Sequence, residues 1–369
     1  MSKPLKIAVF GHKHIFTREG GIEVVVSELY PRLAKHARID VYDRTELGVK
    51  QENTAPKIKN LKIKHSYTIK KRGINAIVAA FSSALQIMFK KYDIVHIHAE
   101  GSCFFIPLLK LARKKIVVTI HGLDWQRDKW GGIATKIIKA GEIQAGKHAD
   151  AIIVLNDDTK NYFKDVYRRD TLLIENGITI HKAEKTEEIE KLWLKPGEYF
   201  LYIGRFAPEK RTDLLVDAYQ KLTTNTKLVL AGPSPDLDED AEWFKKASKD
   251  PNIVMPGFVE GELLDELYSH CKAFVLPSDL EGMSLSLLEA MGSGAVCITS
   301  DIRENVQTLH GFGHTFKAGN ADDLSRVMKQ VDEDGYRKDE KEAEYVASAH
   351  DWDVVAKKTL DVYREVARS

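Results

Sequence analysis

A short apolar run that passes through a polar loop into a helix constrains the fold of this chain more than any other stretch. Residues 273–277, Ala-Phe-Val-Leu-Pro, have the length and composition of a buried strand, and from Ser284 onward the leucines recur at helical spacing. Glu281 lies in the loop, and Glu289 follows about two helical turns later. We expect both carboxylates to face a cleft at the carboxyl end of a parallel sheet, beside a helix N-terminus suited to phosphate. This pattern predicts a site for an anionic, hydroxyl-rich ligand.

The length of 369 residues suits two domains of about 150–200 residues each. No apolar run approaches the roughly 18–20 residues of a membrane span, and the first residues lack the apolar stretch of a signal peptide. We therefore expect a cytoplasmic protein. Cys103, Cys271 and Cys297 are scattered in apolar surroundings, which predicts core packing rather than disulfides or a metal site.

The net charge of +1 conceals an asymmetry, because residues 1–178 carry +13 and residues 179–369 carry −12. No acidic residue occurs between Asn53 and Tyr92, and apolar residues recur at helical spacing over 74–89. Two interpretations stay open: a core-facing helix beside a solvated basic loop, or docking on an anionic membrane surface. The basic residues of the span are Lys57, Lys59, Lys62, Lys64, Lys70, Lys71, Arg72, Lys90 and Lys91.

The first half of the chain alternates apolar strand patterns with helical patterns. After the first strand, Gly20 and Gly21 open a helix, an arrangement that can hold a phosphate. His121 ends a strand and precedes a loop rich in aromatic and charged residues, which marks it as a candidate functional histidine; His96 and His98 lie inside a strand and are interpreted as structural. The predicted strands are 6–11, 39–42, 93–98, 115–121, 151–155 and 172–177, and the predicted helices are 22–36, 74–89, 103–113 and 133–147.

The second half repeats the alternation after a hinge at Asn176-Gly177. Arg205 follows the strand 199–204, and Lys210 lies five residues later in the same loop, so the two cations can converge on one anion; Arg211 is a weaker candidate. Further predicted elements are a short helix around Trp193, strands at 228–233, 252–259 and 295–300, and helices near 212, at 238–248, 321–331 and 351–367, the last capped by Asp351.

Several function classes lack their signatures. A nicotinamide dehydrogenase needs Gly-x-Gly-x-x-Gly after a first strand, and neither half has it. A P-loop is absent, and so are the His-Glu-x-x-His and Cys-x-x-Cys spacings of metal sites. We expect no cofactor, no metal and no nucleic-acid partner.

Three separated motifs, GGIE at 20–23, YIGRFAPEKR at 202–211 and SDLEGMSLSLLEAMGSGAVCITSD at 278–301, together resemble the retaining family-4 glycosyltransferases of the GT-B superfamily. The resemblance covers nearly the whole chain. It departs at Met283-Ser284, where the family often has Phe-Gly, a change that bears on the choice of sugar more than on catalysis.

The resemblance implies an α/β fold with two Rossmann-like domains facing across a cleft. Residues 1–178 would bind the acceptor, residues 179–350 would bind the sugar nucleotide, and a C-terminal helix at 351–369 would cross back to the first domain. The catalytic residues implied are Glu281, Arg205, Lys210 and His121. Donor-binding residues would be Gly20, Gly21, Val259, Ser284, Leu285 and Glu289, and acceptor-binding residues would be Asp124, Trp125 and Arg127.

The expected activity is metal-independent transfer of a hexose, with retention, from a UDP-, GDP- or dTDP-sugar to a sugar or lipid-linked sugar. The resemblance implies front-face attack in which the donor phosphate takes the acceptor proton. Such an enzyme would make cell-surface polysaccharide or glycolipid, in the cytoplasm or on the inner face of the plasma membrane. A sugar-nucleotide 2-epimerase of the same architecture and a non-catalytic sugar-nucleotide-binding module are the alternatives.

Overall fold

The structure is a computed structural model that describes residues 4–47, 56–71, 74–123, 125, 132–233 and 241–369. Contacts divide the chain into two compact units. The first comprises residues 1–177 together with 351–369, and the second comprises residues 178–350.

The first unit is built on a seven-stranded parallel sheet in the order β3-β2-β1-β4-β5-β6-β7. Its strands are β1 (Lys6–Phe10), β2 (Arg38–Glu46), β3 (Leu61–Thr68), β4 (Ile94–His98), β5 (Ile116–Ile120), β6 (Ala151–Val154) and β7 (Leu172–Leu173). Its helices are α1 (Gly21–Leu33), α2 (Asn75–Met88), α3 (Ile106–Leu111), α4 (Gly132–His148), α5 (Asp157–Tyr167) and α14 (Trp352–Arg368), with a 3₁₀ helix at Glu100–Phe105.

Helices cover both faces of the sheet, so its central strands are buried. Every residue of β4 and β5 is buried. The strand order reverses between β1 and β4, and the chain leaves β1 through Gly11 at φ +111°, where a Cβ atom would lie 1.8 Å from the carbonyl oxygen of His98. Glycine is therefore required at position 11, where the chain leaves β1 close to the end of β4.

The sequence prediction missed β3. This strand pairs with β2 along its whole length, inside a segment that was interpreted as a basic loop. Its lysines interrupt the apolar alternation because β3 is an edge strand, where charged residues are common. The predicted helix at 103–113 is a 3₁₀ helix followed by α3, and the predicted strand at 172–177 is reduced to the two residues of β7.

The second unit has a six-stranded parallel sheet in the order β10-β9-β8-β11-β12-β13, with a buried apolar cluster on each face. Its strands are β8 (Tyr199–Ile203), β9 (Lys227–Ala231), β10 (Ile253–Gly257), β11 (Ala273–Leu276), β12 (Val296–Ser300) and β13 (His314–Phe316). Its helices are α6 (Glu187–Glu190), α7 (Thr212–Tyr219), α8 (Glu242–Lys249), α9 (Gly261–His270), α10 (Leu285–Gly292), α11 (Arg303–Leu309), α12 (Ala321–Asp334) and α13 (Glu340–Ala349).

The predicted helix around Trp193 is wrong in position. The helix is α6, and Trp193 lies in the turn after it at φ +56°, 85% exposed. The prediction for the cysteines is confirmed, since all three are buried free thiols. Among the described residues, no helix has the length and apolarity needed to span a membrane.

The C-terminal helix α14 belongs to the first unit and packs against α1. Asp351 caps it as predicted, accepting a hydrogen bond from the Asp353 amide at 2.6 Å. Trp352 and Tyr363 are buried on its inner face, and a Cβ atom at Gly177 would lie 2.5 Å from the Trp352 ring. Glycine at the predicted hinge is therefore required by this packing.

Glu342 of α13 is a buried carboxyl group whose two oxygens have no hydrogen-bond partner. Burial, with a smaller effect from Asp339, raises its pKa to about 8. The folded chain therefore retains a proton that the unfolded chain loses near pH 4–5. It follows that the free energy of unfolding falls as the pH rises from about 5 to about 8.

We predict that Glu342→Gln removes this loss. The variant should be more stable than the parent at pH 8, by at most about 1.4 kcal/mol for each pH unit above about 5, because the amide has no charge to desolvate. Urea unfolding at pH 6, 7 and 8 measures the difference, with the exposed Glu340→Gln on the same helix as control. Equal pH dependence in both variants would contradict the prediction.

Candidate active site

Two loops meet at the carboxyl ends of β8 and β11, which are neighbours at the point where the strand order of the second unit reverses. The Asp279 amide donates to the carbonyl oxygen of Glu209 at 2.9 Å. Arg211 Nη1 donates to Asp279 Oδ2 at 2.7 Å, so Arg211 fastens one loop to the other. The two loops are therefore held together at this edge of the sheet by a main-chain hydrogen bond and an ion pair.

Lys210 and Glu281, predicted independently from two motifs, are in direct contact on this edge. Lys210 Nζ lies 2.6 Å from Glu281 Oε1, and both side chains are mostly buried. Arg205 lies 3.9 Å from the buried carboxylate of Glu209. Each of the two cations thus faces a carboxylate, and an incoming anion must compete with these carboxylates for them.

Glu289 has partners different from those of Glu281. It is buried in α10, where its Oε2 accepts a hydrogen bond from the Tyr268 hydroxyl at 3.2 Å. Its Oε1 lies 3.5 Å from His181 Nε2. Because α10 begins at Leu285, Glu281 precedes the helix, and a common helical face does not relate the two glutamates.

His181 is a residue that the sequence prediction missed. Its Nδ1 lies 2.5 Å from Asp265 Oδ1, and its ring stacks on Tyr268 with centroids 5.0 Å apart. An acid–imidazole–acid row of Asp265, His181 and Glu289 results. No local signal in the sequence could have found it, since Asp265 lies 84 positions away from His181.

The remaining candidate donor residues are placed mainly by their backbone. Gly20 is the extended N-cap of α1, where a Cβ atom would lie 2.6 Å from Glu23 Oε2, and Gly21 is the first residue of that helix. Glu23 Oε1 accepts from the Lys13 amide at 2.9 Å, so a carboxylate of the chain itself lies beside the predicted phosphate cradle. In the second unit, Ser284 caps α10 by accepting from the Leu287 amide at 3.4 Å, and the side chains of Leu285 and Val259 are buried.

His121 follows β5, and its Nε2 lies 2.9 Å from His98 Nδ1. His96 and His98 are fully buried, and burial lowers the pKa of His96 to about 3. Burial and the neighbouring histidines hold the pKa of His98 well below its ordinary value. The two histidines interpreted as structural are therefore connected to the candidate His121. Their spacing of two residues, which places both on one face of β4, was the signal for this.

Trp125 is anchored inward by a buried carboxylate. Its indole Nε1 donates to Glu142 Oε2 at 2.6 Å, and the ammonium of Lys139 lies 4.0 Å from the centre of its ring. Lys139 and Tyr162 each donate to Glu142 Oε1 at 2.8 Å, and Tyr167 donates to the same oxygen. Asp124 and Arg127, the other two candidate acceptor residues, lie outside the described residues.

Within the described part of the chain, no group of three or more His, Cys, Asp or Glu side chains is arranged to hold a metal ion.

Two family models match the chain in tandem. The model described as "Glycosyltransferase Family 4" matches residues 19–182, and the model described as "Glycosyl transferases group 1" matches residues 184–351. The two matched ranges include the strand ends, in both units, at which the candidate residues lie.

Individual relatives agree with the models. An uncharacterized glycosyltransferase of Methanocaldococcus jannaschii is 26% identical over 302 residues, which are 74% of this chain and 75% of the relative. The GDP-mannose:cellobiosyl-diphosphopolyprenol alpha-mannosyltransferase of Xanthomonas oryzae pv. oryzae is 25% identical over 74% of each chain. Among solved structures, Anabaena HepE in complex with UDP and glucose is similar with a TM-score of 0.76 and 13% identity, over 98% of this chain and 100% of HepE. At that identity the likeness shows the two-domain GT-B fold alone.

Proposed function

We propose that this chain, which belongs to the group 1 glycosyltransferases with the GT-B fold, transfers a hexose with retention from a nucleotide-sugar donor to a lipid-linked sugar acceptor in polysaccharide synthesis. The observation that carries the proposal is the contact between Lys210 and Glu281 at the carboxyl ends of β8 and β11. It places a cation for a phosphate beside a carboxylate for sugar hydroxyls. The names of the mannosyltransferase and of the HepE complex support a nucleotide-sugar donor.

The proposed chemistry centres on the leaving nucleoside diphosphate. This group gains negative charge as the glycosidic bond breaks, so cations that bind it stabilise the transition state more than the ground state. Lys210 releases Glu281 when it turns to the diphosphate, and Arg205 acts from the same loop. We assign this role to the two side chains, without a metal cofactor.

Glu281, once released, holds donor-sugar hydroxyls and supports the oxocarbenium-like centre. Retention follows from front-face attack, in which the acceptor hydroxyl approaches on the side of the departing phosphate and gives that phosphate its proton. Glu289 accepts hydrogen bonds from the ribose hydroxyls, and His181 with Asp265 keeps its carboxylate oriented.

Our first test of the function is removal of the cations. Arg205→Ala and Lys210→Ala should each lower turnover by roughly two or more orders of magnitude, because each removes charge stabilisation from the transition state. Lys221→Ala, which loses only a surface ion pair with Asp322, is the control. Turnover is measured as nucleoside diphosphate released with acceptor present. Near-normal turnover in both variants would contradict the proposal, and donor conversion without acceptor would favour the epimerase.

The second test separates the glutamates. Glu289→Ala should weaken nucleoside diphosphate binding, and Asp265→Asn should weaken it in the same direction but less, because it loosens His181 and only indirectly Glu289. Glu281→Gln should leave binding nearly intact while depressing turnover. Isothermal titration calorimetry measures the affinities, with the exposed Glu262→Gln of α9 as control. If Glu281 rather than Glu289 governs affinity, the two roles are assigned wrongly.

The lipid-linked acceptor rests on an outward-facing apolar surface on α2. The interpretation of a core-facing helix does not hold for all of its large residues: Phe81 and Leu85 are exposed, and so is Phe89 directly after the helix. The small residues of the helix face the core instead: Ala79, Ala80, Ser83 and Ala84 are buried together with Ile87. The exposed lysines nearby in the chain are Lys57, Lys59, Lys62, Lys70, Lys71 and Lys91.

Exposed apolar residues on a helix, with exposed lysines in the neighbouring segments of the chain, match an anionic bilayer, to which each basic residue contributes on the order of 1 kcal/mol. We therefore predict that the chain sediments with liposomes containing anionic lipid, less so at 1 M salt because the Debye length falls to about 3 Å. Changing Lys59, Lys62, Lys70 and Lys71 to Glu should abolish this binding. The control makes the same charge change at Lys35, Lys136, Lys147 and Lys160, which are exposed elsewhere in the first unit. Equal binding by the two variants would contradict membrane docking.

A further inference from the structure

A continuous row of hydrogen bonds runs through the core of the first unit to His121. Tyr363 of α14 lies 2.6 Å from His96 Nδ1, and Tyr30 of α1 lies 2.8 Å from the same nitrogen. Tyr30 also lies 2.6 Å from His98 Nε2, and His98 Nδ1 lies 2.9 Å from His121 Nε2. Four of these five side chains are fully buried; His121 is partly exposed at the end of the row.

Burial determines the protonation states of the two histidines and two tyrosines in the buried part of the row. The lowered pKa values of His96 and His98 keep both rings neutral, so each carries one N–H. Burial raises the pKa of Tyr30 and of Tyr363, so each phenol keeps its O–H. Each ring or phenol in the buried part of the row therefore has one proton to donate.

The distances assign these protons to partners. Tyr30 is hydrogen-bonded to Tyr363 and lies 2.8 Å from His96 Nδ1, but its shortest contact with a histidine, at 2.6 Å, is to His98 Nε2. Tyr363 lies 2.6 Å from His96 Nδ1. A phenol is a better donor than a neutral imidazole, so Tyr30 donates to His98 Nε2, and the one proton of His98 is then on Nδ1. That proton points at His121 Nε2, which must accept it.

Further polar groups contact or lie near the two buried histidines. His96 Nε2 is 2.8 Å from the Thr119 hydroxyl on β5, which can accept its proton. His12, after β1, lies close enough to disfavour a positive charge on His98, and Asp43 of β2 is bonded to His12 Nε2 at 2.9 Å.

We propose that Tyr30 and His98 are positioning residues that hold His121 as the tautomer protonated on Nδ1. His121 then presents an N–H donor at that nitrogen, suited to a hydroxyl or phosphate oxygen, and does not serve as a base there. The use of this donor in sugar transfer rests on the proposed function. The tautomer itself is a property of the folded chain and needs no substrate.

The experiment is ¹⁵N NMR of the full chain labelled in its histidine rings, at neutral pH and without ligand. The ring shifts separate protonated from unprotonated nitrogens, and the spectrum of His121→Gln identifies the His121 signals. The parent should show His121 protonated on Nδ1. A parent spectrum with the proton on Nε2 overturns the proposal directly, before any other variant is made.

Two phenol variants then distinguish positioning from general packing. Tyr30→Phe should change the tautomer ratio of His121 by about five- to ten-fold, the equivalent of one buried hydrogen bond. Tyr42→Phe removes a buried hydroxyl of the first unit that contacts Tyr92 and lies outside the row, and it should leave the ratio unchanged. Equal changes in both variants, or none in Tyr30→Phe, would overturn the proposal. A normal His121 tautomer in a chain that transfers no sugar would leave the positioning intact and count against the function.

Discussion

The parallel pairing of β8 with β11 is the constraint on which the candidate site of the second unit depends. It brings Lys210 and Glu281, 71 positions apart in the sequence, within 2.6 Å. The paired residues of both strands are completely buried, so the apolar core that drives the pairing also sets the geometry of the loops. The main-chain bond from Asp279 to Glu209 and the ion pair of Arg211 with Asp279 hold the loops in this register.

Buried carboxyl groups in this chain differ in whether other side chains contact them. Glu142 accepts hydrogen bonds from four side chains, and Glu289 is contacted by Tyr268 and His181. Such partners offset the cost of removing a charge from water. Glu342 has no hydrogen-bond partner for its carboxyl group, and its raised pKa is the consequence.

Helix α2 shows that a helical repeat of apolar residues does not determine which face of the helix is buried. The helical repeat of apolar residues leaves a core face and a membrane-docking face as alternatives. In the structure, the core side of the helix holds Ala79, Ala80, Ser83, Ala84 and Ile87, and the helix packs beside β3, the strand it contacts most. Ser83 of α2 even bonds Ser66 of β3. Small residues allow this close approach on the core side, and Phe81 and Leu85 lie outward. Apolar spacing alone predicts a helix and an apolar face, but not which face is buried.

The sequence by itself determined the alternation of strands and helices in both halves, the capping of α14 by Asp351, the burial of the cysteines and the motifs that identify the family. These features depend on residues close together in the chain, where local periodicity and capping chemistry are strong. It missed β3, whose lysines hide the alternation of an edge strand, and it misplaced the helix near Trp193. Only the tertiary structure decided that Lys210 meets Glu281, that His181 meets Asp265 and Glu289, and that Tyr363 meets His96 across 267 positions. Such contacts depend on strand order and on the side on which each helix packs. No pattern within one segment contains that information, because it arises when distant segments bury their apolar faces together.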